Sequence, residues 1–352
     1  MAEFDLIARI RERSRHAGID DGVVLGIGDD AALLQVPAGH ELVVTADTLN
    51  DGVHFPHATA PADVGWKALA VNLSDLAAMG ARPAWCTLSL SLPGDDPAWL
   101  DAFLDGFLEL ASIHRIALVG GDTTRGPRSI AVTALGVVEA GRALRRDHAR
   151  VGDDIWVTGT LGDAAAALAL GGHLPWPEAA GGGVPGADAG NTADPAGSAF
   201  LAERLARPRP GVAAGRQLPG LAHACVDISD GLLADLGHVC ACSGTGAQVD
   251  VDALPASVAL RTLLEPRASC ASPPLAAARR ECMRAFQATG GDDYELCFTA
   301  SPSRRDAVAA ALGGIGVDAT RIGRIVATPG VHALTADAAP WQAPHRGYVH
   351  FG

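Results

Sequence analysis

The sequence contains very little lysine and lacks any long apolar run. Lys67 is the only lysine among 352 residues, so the Gly-Lys-Ser/Thr core of a P-loop cannot form. No stretch approaches the ~18 consecutive apolar residues of a membrane span. The first residues do not show a positive region followed by an apolar one, as secretory signals do. These absences predict a cytoplasmic protein without a membrane partner.

Cysteine spacing and net charge exclude further classes of protein. The seven cysteines form no Cys-x-x-Cys pair, and an odd, scattered set is typical of a reducing compartment rather than of a disulfide framework. Forty acidic residues against 27 basic ones give a net charge of −13, which repels phosphate backbones. Nucleic acid is therefore not an expected partner.

Helix and strand patterns alternate along the chain, which favours an α/β or α+β fold over an all-α one. Helices are predicted over 4–17, 62–79, 99–112, 163–170 and 231–242, and strands over 41–46, 87–92, 116–119, 130–138, 154–158, 224–228 and 295–299. At ~150 residues per domain the length suggests two domains, which we place at 1–145 and 146–352. Residues 171–200 hold eight glycines and four prolines, a composition that predicts a flexible insertion.

Aspartate recurs beside glycine or another small residue where predicted strands end, which is where α/β proteins place their sites. The clusters are Gly28-Asp29-Asp30, Thr45-Ala46-Asp47, Gly121-Asp122, Asp227-Ile228-Ser229-Asp230 and Gly291-Asp292-Asp293. Each alone could be an ordinary turn. If they converge, two carboxylates ~4 Å apart repel by ~4 kcal/mol at an effective dielectric constant of 20, so cations must lie among them. Magnesium commonly bridges carboxylates to phosphate oxygens, which makes phosphoryl transfer the first expectation.

Other catalytic and binding motifs are missing. The turn at Gly28 lacks the third glycine of a dinucleotide fingerprint, and the sequence contains no EF-hand loop, no Gly-x-Ser-x-Gly elbow and no His-Glu-x-x-His helix. His54 lies near the acidic cluster at Asp47 and is equally compatible with a turn histidine and with a substrate contact. The acidic clusters therefore remain the main candidates for chemistry.

Six segments of the sequence occur together in one known family. They span 26–32, 47–49, 67–80, 120–126, 227–232 and 291–296. In motif, order and spacing the chain resembles the thiamine-monophosphate kinases from about residue 3 to residue 348. The resemblance implies the two-domain α/β fold of the aminoimidazole ribonucleotide synthetase superfamily. It also implies a homodimer that pairs through the N-terminal domains, with strands 41–46 and 130–138 as candidates for the contact, and an active site between the domains.

The activity implied by the resemblance is transfer of the γ-phosphoryl group of ATP to thiamine monophosphate. Because the acceptor is already an anionic phosphate oxygen, direct in-line transfer needs no covalent nucleophile and no general base. The residues implied as ligands of several Mg²⁺ ions are Asp30, Thr45, Ala46, Asp47, Asp75, Asp122, Asp227 and Asp230. Those implied for ATP are Gly121, Asp122, Arg146 and Ser229, and those for the thiamine substrate are His54, Asp292 and His345.

Some positions depart from the family pattern. Ala46 stands where threonine is usual and offers a metal only its carbonyl, and Asp292 replaces the usual glutamate. His345 aligns with an aromatic substrate contact, a role that Trp341 could also take. Arg146 could instead be a solvated surface charge. Two alternatives remain open: another ATP-using enzyme of the superfamily, and a non-catalytic module that binds nucleotide or thiamine phosphate.

Overall fold

The computed structural model describes residues 3–15, 21–177, 194–264, 273–344 and 347. The chain divides into two compact units. Unit 1 comprises Met1–Ala143 with Ala206–Pro219, and unit 2 comprises Leu144–Leu205 with Gly220–Gly352. The main division thus lies two residues from the expected boundary at 145/146, and a short later segment returns to unit 1.

Helices and strands alternate along the described chain. Their bounds in chain order are α1 (Glu3–Arg15), β1 (Val23–Leu25), β2 (Leu33–Leu34), β3 (His40–Asn50), α2 (Pro61–Ala78), β4 (Arg82–Leu92), α3 (Pro97–His114), β5 (Ala117–Arg125), β6 (Ser129–Glu139), β7 (Asp154–Thr158), α4 (Asp163–Leu170), α5 (Pro195–Ala206), α6 (Val212–Gly215), β8 (Ala224–Asp227), α7 (Leu232–Ser243), β9 (Gly246–Asp250), α8 (Val258–Leu264), α9 (Pro273–Thr289), β10 (Leu296–Ala300), α10 (Arg305–Gly313), β11 (Ala319–Val326) and β12 (Gly330–Leu334). None of the described helices is long and apolar enough to cross a bilayer.

Unit 1 is built on a four-stranded sheet in the order β3-β6-β4-β5. The β3–β6 and β6–β4 pairs are antiparallel, whereas β4 and β5 are parallel. Helix α2 begins with Pro61, whose missing N–H costs nothing at that position, and buries Leu69, Leu73 and Leu76. The helix ends before Gly80, which adopts a φ of +70°. Helix α2 contacts β3 and β6 of the sheet and also helix α3.

Unit 2 contains a six-stranded mixed sheet in the order β12-β9-β11-β7-β10-β8. All its pairings are antiparallel except the one between β12 and β9. One apolar cluster packs helix α7 against the sheet through Leu232, Leu236 and Val239. Strands β8 and β10 are neighbours, and their register places Leu296 opposite Asp227. The acidic site residues predicted for this unit lie at the end of β8 and just before the start of β10.

The last part of the segment predicted to be a flexible insertion is helical. Residues 178–193 of the 171–200 stretch lie outside the described residues, but 195–200 form the first half of helix α5. Pro195 opens this helix, and the Asp194 carboxylate accepts the Ala196 N–H at 3.2 Å. Leu201 is 1% exposed in an apolar cluster with α4, α8 and α9. Burial of this face outweighs a local composition rich in proline and glycine.

Candidate active site

An acidic pair lies where strand β3 meets helix α2 in unit 1. Thr45 and Asp47 are two residues apart on β3 and therefore face the same side of the sheet. The Thr45 hydroxyl donates to Asp75 of α2 at 2.5 Å. Burial, and then the charge of Asp75, raise the pKa of Asp47 to about 6. The two carboxylates are thus held close together in a half-buried position.

Asn72 fixes the strand to the helix at this place, a role that the sequence did not reveal. Its side chain is fully buried. The amide oxygen accepts the Asp47 N–H at 3.1 Å, and the amide nitrogen donates to the Ala68 carbonyl at 3.0 Å. Asn72 precedes Asp75 by three residues, so both lie on the same side of α2. A polar residue at such spacing on an otherwise buried helix was the available signal.

Gly121 lies on the same row of the sheet as Asp47, but on the far strand. The register runs from Asp47 through Val132 and Leu88 to Gly121. Three inter-strand spacings separate β3 from β5, which amounts to roughly 14 Å. Asp122, the next residue, is exposed. The structure thus places Asp122 on the strand at the far edge of the sheet from Asp47.

Two further predicted ligands of unit 1 are exposed. Asp30 is exposed in the turn after Gly28, where its N–H donates to the Asp29 carboxylate at 2.8 Å. Ala46 points to the face of β3 opposite Asp47, because side chains alternate along a strand. The backbone carbonyl is therefore the only oxygen that Ala46 can offer to a metal ion.

His54 lies in a turn that its own ring helps to hold. Its Nδ1 accepts the Asn50 N–H at 3.0 Å, which puts the proton of the neutral ring on Nε2. Lys67, the only lysine of the chain, is 3% exposed and donates from Nζ to the His54 carbonyl at 3.1 Å. The structure therefore fixes His54 from both sides, through its ring and through its backbone.

The acidic turn of unit 2 follows strand β8 and is organised by a residue that sequence analysis missed. Asp227 is buried at the end of the strand. The Asp235 carboxylate accepts the N–H groups of Ser229, Asp230 and Gly231 at 3.0 to 3.1 Å. Burial above all, and then the charge of Asp230, raise the pKa of Asp235 to about 7, against the effect of these N–H groups. An aspartate in the first turn of a predicted helix was the available signal.

Asp292 lies beside this acidic turn. Its N–H donates to the Ser229 carbonyl at 2.9 Å, and its carboxylate accepts the Tyr294 hydroxyl at 2.9 Å. Within unit 2 the structure therefore brings Ser229, Asp230 and Asp292 onto adjoining turns. Of the predicted site residues, these form the group that is best defined by hydrogen bonds.

The other predicted residues of unit 2 are less closely tied to this group. Arg146 is exposed in a short 3₁₀ turn beside β8, where its carbonyl accepts the Ser243 hydroxyl at 2.8 Å. His345 lies outside the described residues. The Trp341 indole N–H donates to Glu281 at 2.7 Å, and the ring packs against the apolar cluster of unit 2. These contacts give Trp341 a packing role.

The donor chemistry of the acidic pair in unit 1 fits magnesium. Two carboxylates and a hydroxyl supply only hard oxygen atoms, which Mg²⁺ prefers. The raised pKa of Asp47 shows that its negative charge lacks compensation, which a cation would provide. Over the described ranges, no group of three or more His, Cys, Asp or Glu side chains stands close enough to hold one ion. Further oxygen atoms would therefore come from phosphate, water or backbone carbonyls.

Models of one protein class match both units of the chain. The N-terminal domain of the AIR synthase related proteins matches residues 28–138, and their C-terminal domain matches residues 150–334. These two matches cover well over half of the chain. The protein is a member of this class, and the expected two-domain α/β fold is confirmed.

Full-length relatives narrow the class further. Thiamine-monophosphate kinase of Escherichia coli (strain K12) is 43% identical over 350 residues, which cover 99% of this chain and 98% of that protein. The crystal structure of thiamine-monophosphate kinase from Stenotrophomonas maltophilia is 54% identical, with a TM-score of 0.79 over 95% of this chain and 96% of that one. AaThiL complexed with AMPPCP and TMP is 30% identical, with a TM-score of 0.70 over 99% and 97% of the two chains. The chain belongs to the thiamine-monophosphate kinase family, an enzyme family, as the motifs indicated.

Proposed function

We propose that this protein transfers the γ-phosphoryl group of ATP to thiamine monophosphate and releases thiamine diphosphate and ADP. The observation that carries the proposal is the match at 43% identity to the Escherichia coli kinase, because it extends over 99% of the chain. A relative of 30% identity that is complexed with AMPPCP and TMP supports the same pair of ligands. The reaction would take place in the cytoplasm.

Direct in-line transfer is the simplest course for this reaction. A phosphate oxygen of thiamine monophosphate attacks the γ-phosphorus of ATP, and the bond from that phosphorus to the oxygen bridging it to the β-phosphate breaks as ADP leaves. The attacking oxygen already carries negative charge, so no side chain needs to remove a proton. The main obstacle is repulsion between two polyanions, which positioning and charge neutralisation lower.

The acidic residues would hold the Mg²⁺ ions of the reaction. Bound magnesium neutralises phosphate charge and orients the transferred group. We assign one group of ligands to Thr45, Asp47 and Asp75, with the Ala46 carbonyl as a further donor, and we assign Asp30 to a different ion. A second place on unit 1 is Asp122, and unit 2 contributes Asp227 and Asp230. Separate groups of ligands agree with a need for several ions along two phosphate chains.

The remaining site residues would bind the two substrates. Strand β4 requires glycine at position 121, since the φ there is +150° and a Cβ would lie 1.8 Å from the Leu88 carbonyl oxygen. Without a side chain, Gly121 would also let a phosphate come close to the backbone. Ser229 and Arg146 would bind ATP, and the planar fork of arginine suits pairs of phosphate oxygens. The acceptor would be bound by the residues His54, Asp292 and His345. A carboxylate such as Asp292 suits the cationic ring of thiamine.

A homodimer is part of the proposal. Strand β3 forms an edge of the unit 1 sheet and pairs on one side with β6. Leu42 and Val44 of this strand are 44% and 57% exposed. A long edge strand with exposed apolar side chains favours association with a second copy. Light scattering coupled to size-exclusion chromatography tests it, and a monomer at micromolar concentration would contradict it.

Incubation of the purified protein with MgATP and thiamine monophosphate tests the activity. Thiamine diphosphate is followed by thiochrome fluorescence after separation, and we expect formation that stops when EDTA removes the magnesium. AMPPCP replaces ATP in the control, because its methylene bridge blocks transfer. A module that only binds would bind AMPPCP in calorimetry and form no thiamine diphosphate, which would overturn the proposal.

A further inference from the structure

The turn that precedes strand β10 holds two non-glycine residues in a left-handed backbone conformation. Asp292 has a φ of +66° and Tyr294 a φ of +50°. Aspartate visits this region more readily than most residues, whereas a bulky tyrosine rarely does. Such conformations persist where the surrounding structure over-determines them, and they cluster at ligand-binding sites.

Hydrogen bonds from the backbone tie this turn to the end of strand β8. The Asp292 N–H donates to the Ser229 carbonyl at 2.9 Å, and the Tyr294 N–H donates to the Ile228 carbonyl at the same distance. The turn is therefore fixed on both sides of Asp293 to the segment that carries the acidic residues of unit 2.

Buried side chains complete the attachment of the turn. The Asp293 carboxylate is 2% exposed and accepts the Gly162 N–H with both oxygens, at 3.0 and 2.9 Å. Arg204 donates to the Asp293 carbonyl at 3.3 Å and to the Glu295 carboxylate at 3.0 Å. These bonds connect the turn to helices α4 and α5, so its backbone has little freedom.

The fixed backbone places one side chain against another. Tyr294 is buried, with 7% of its surface exposed, and its hydroxyl donates to Oδ1 of Asp292 at 2.9 Å. A buried ring on a fixed backbone cannot follow a carboxylate that rotates. The bond therefore selects one orientation of the Asp292 carboxylate.

We propose that Tyr294 is a positioning residue for substrate binding. Its hydroxyl holds the Asp292 carboxylate in the orientation that takes the positively charged part of the thiamine phosphate. The inference rests on the proposed function and deepens it, because it assigns to the strained turn the task of presenting one carboxylate. Loss of the hydroxyl removes a hydrogen bond that holds the carboxylate in this orientation, so substrate binding weakens while the ring keeps its packing.

Steady-state kinetics of Tyr294→Phe, Asp292→Gly and the double variant tests the proposal. Glycine adopts the φ of position 292 without a steric penalty, so it removes the carboxylate and keeps the turn. We expect Tyr294→Phe to raise KM for thiamine monophosphate roughly 3- to 10-fold, as loss of one hydrogen bond does, and to leave KM for ATP within twofold. In the Asp292→Gly background the same change should have no further effect.

Thr335→Val is the matched control, because the Thr335 hydroxyl also donates to a carboxylate of unit 2, that of Asp337, at 2.5 Å. It should leave both KM values unchanged, and the Tm of Tyr294→Phe should fall by no more than about 4 °C. An unchanged KM for thiamine monophosphate in Tyr294→Phe, or full additivity in the double variant, would overturn the positioning role alone. A wild-type protein that neither binds thiamine monophosphate in calorimetry nor converts it would overturn the proposed function, and this inference with it.

Discussion

Two carboxylates that lie close together in a half-buried position make folding less favourable, and a bound cation reverses that effect. Asp47 and Asp75 form such a pair, and burial together with the charge of Asp75 raises the pKa of Asp47 to about 6. The Thr45 hydroxyl donates to one oxygen of Asp75. The pair is thus better suited to binding a metal than to stabilising the fold.

Replacement of single carboxylates separates these two roles. Asp75→Asn keeps an oxygen for the Thr45 hydroxyl and removes one of the two like charges, so we expect the Tm to stay equal or to rise slightly. The rate of thiamine diphosphate formation should fall at least ~100-fold, as it does when one electrostatic group of a preorganised site is removed. Asp122→Asn should have the same effect on the rate.

Thiochrome fluorescence and thermal unfolding measure the two quantities. Asp105→Asn is the matched control, because Asp105 is an exposed aspartate of helix α3 in the same unit. It should keep full activity. Retained activity in Asp75→Asn with a normal dependence on magnesium would contradict the assigned role.

Residues that act directly are easier to find in a sequence than residues that hold them. The aspartates were predicted because aspartate beside glycine at a strand end is a pattern that can be read locally. Asn72 and Asp235 were not, since their roles depend on which backbone groups the fold brings to them. Tyr294 belongs to a recognised segment, but its left-handed φ has no local signature.

At the scale of elements, two helices of unit 1 pack so closely that only glycine fits at the contact. A Cβ on Gly65 of α2 would lie 2.0 Å from the Phe103 carbonyl oxygen, and one on Gly106 of α3 would lie 1.8 Å from the Ala62 carbonyl oxygen. Both obstacles are backbone atoms, which cannot move aside as a side chain can. The glycines therefore set the distance between the helices, and Asp75 lies on one of these helices.

Gly106→Ala should destabilise the protein. Alanine gains ~1 kcal/mol in helix propensity over glycine, but the backbone clash forces the helices apart, and overpacking of this kind costs roughly 1–3 kcal/mol or more. Urea unfolding followed by circular dichroism should show a lower midpoint.

Gly237→Ala in helix α7 is the control for this prediction. A Cβ there would meet Val331 at 3.9 Å, which is ordinary contact. We expect that variant to be neutral or slightly more stable. If Gly106→Ala behaved in the same way, the close approach of α2 and α3 would be contradicted.

Helices and strands whose ends are marked by proline or glycine were predicted well. A strand that forms mainly because it pairs with neighbouring strands was not predicted. Helix α2 was expected over 62–79 and spans Pro61–Ala78, since a proline and a glycine mark its ends. Strand β9 has the sequence Gly-Ala-Gln-Val-Asp and lies between β11 and β12. Its short, weakly apolar sequence carries little signal, and pairing on both sides makes it a strand.

At the scale of the whole molecule, acidic residues exceed basic ones and several of them are ion-paired. Asp154 of strand β7 is the clearest case, because its side chain is 4% exposed and bonds Arg305 at 2.6 and 2.8 Å and Arg321 at 3.4 Å. The Arg305 hydrogen bond above all lowers the pKa of Asp154 below its ordinary value. These three residues link β7 to β11 and to the start of α10.

The lowered pKa predicts a pH dependence of stability. A carboxyl group whose pKa is lower in the folded than in the unfolded chain stabilises the fold above the unfolded pKa of ~3.9, and this contribution is lost as the pH falls through the folded pKa. Asp154→Asn should therefore lower the free energy of unfolding at pH 7. Its difference from the wild type should shrink as the pH falls below about 4, where the carboxyl group of the unfolded chain begins to take up protons. A difference that is constant from pH 7 to pH 3 in urea titrations would contradict this account.

Composition restricted the class of protein, and the order of the motifs indicated the family. The sequence did not predict which segments of the chain belong to each unit. The excess of acidic residues and the lack of long apolar runs bounded the class of protein. The return of Ala206–Pro219 to unit 1 was not anticipated. The carbonyl of Pro208 in that segment accepts the indole N–H of Trp66, on helix α2, at 2.9 Å. No local sequence pattern predicts such a long-range contact.

The burial of the only lysine has a practical consequence. Because Lys67 is 3% exposed and bonded to a carbonyl, reagents that acylate amines find no side-chain amine on the surface of this protein. Cross-linking and attachment to a support must instead use carboxylates, arginines or thiols. Because the chain has a single lysine, labelling with ¹⁵N-lysine would give one side-chain resonance. That resonance would report on the contact between Lys67 and the His54 carbonyl.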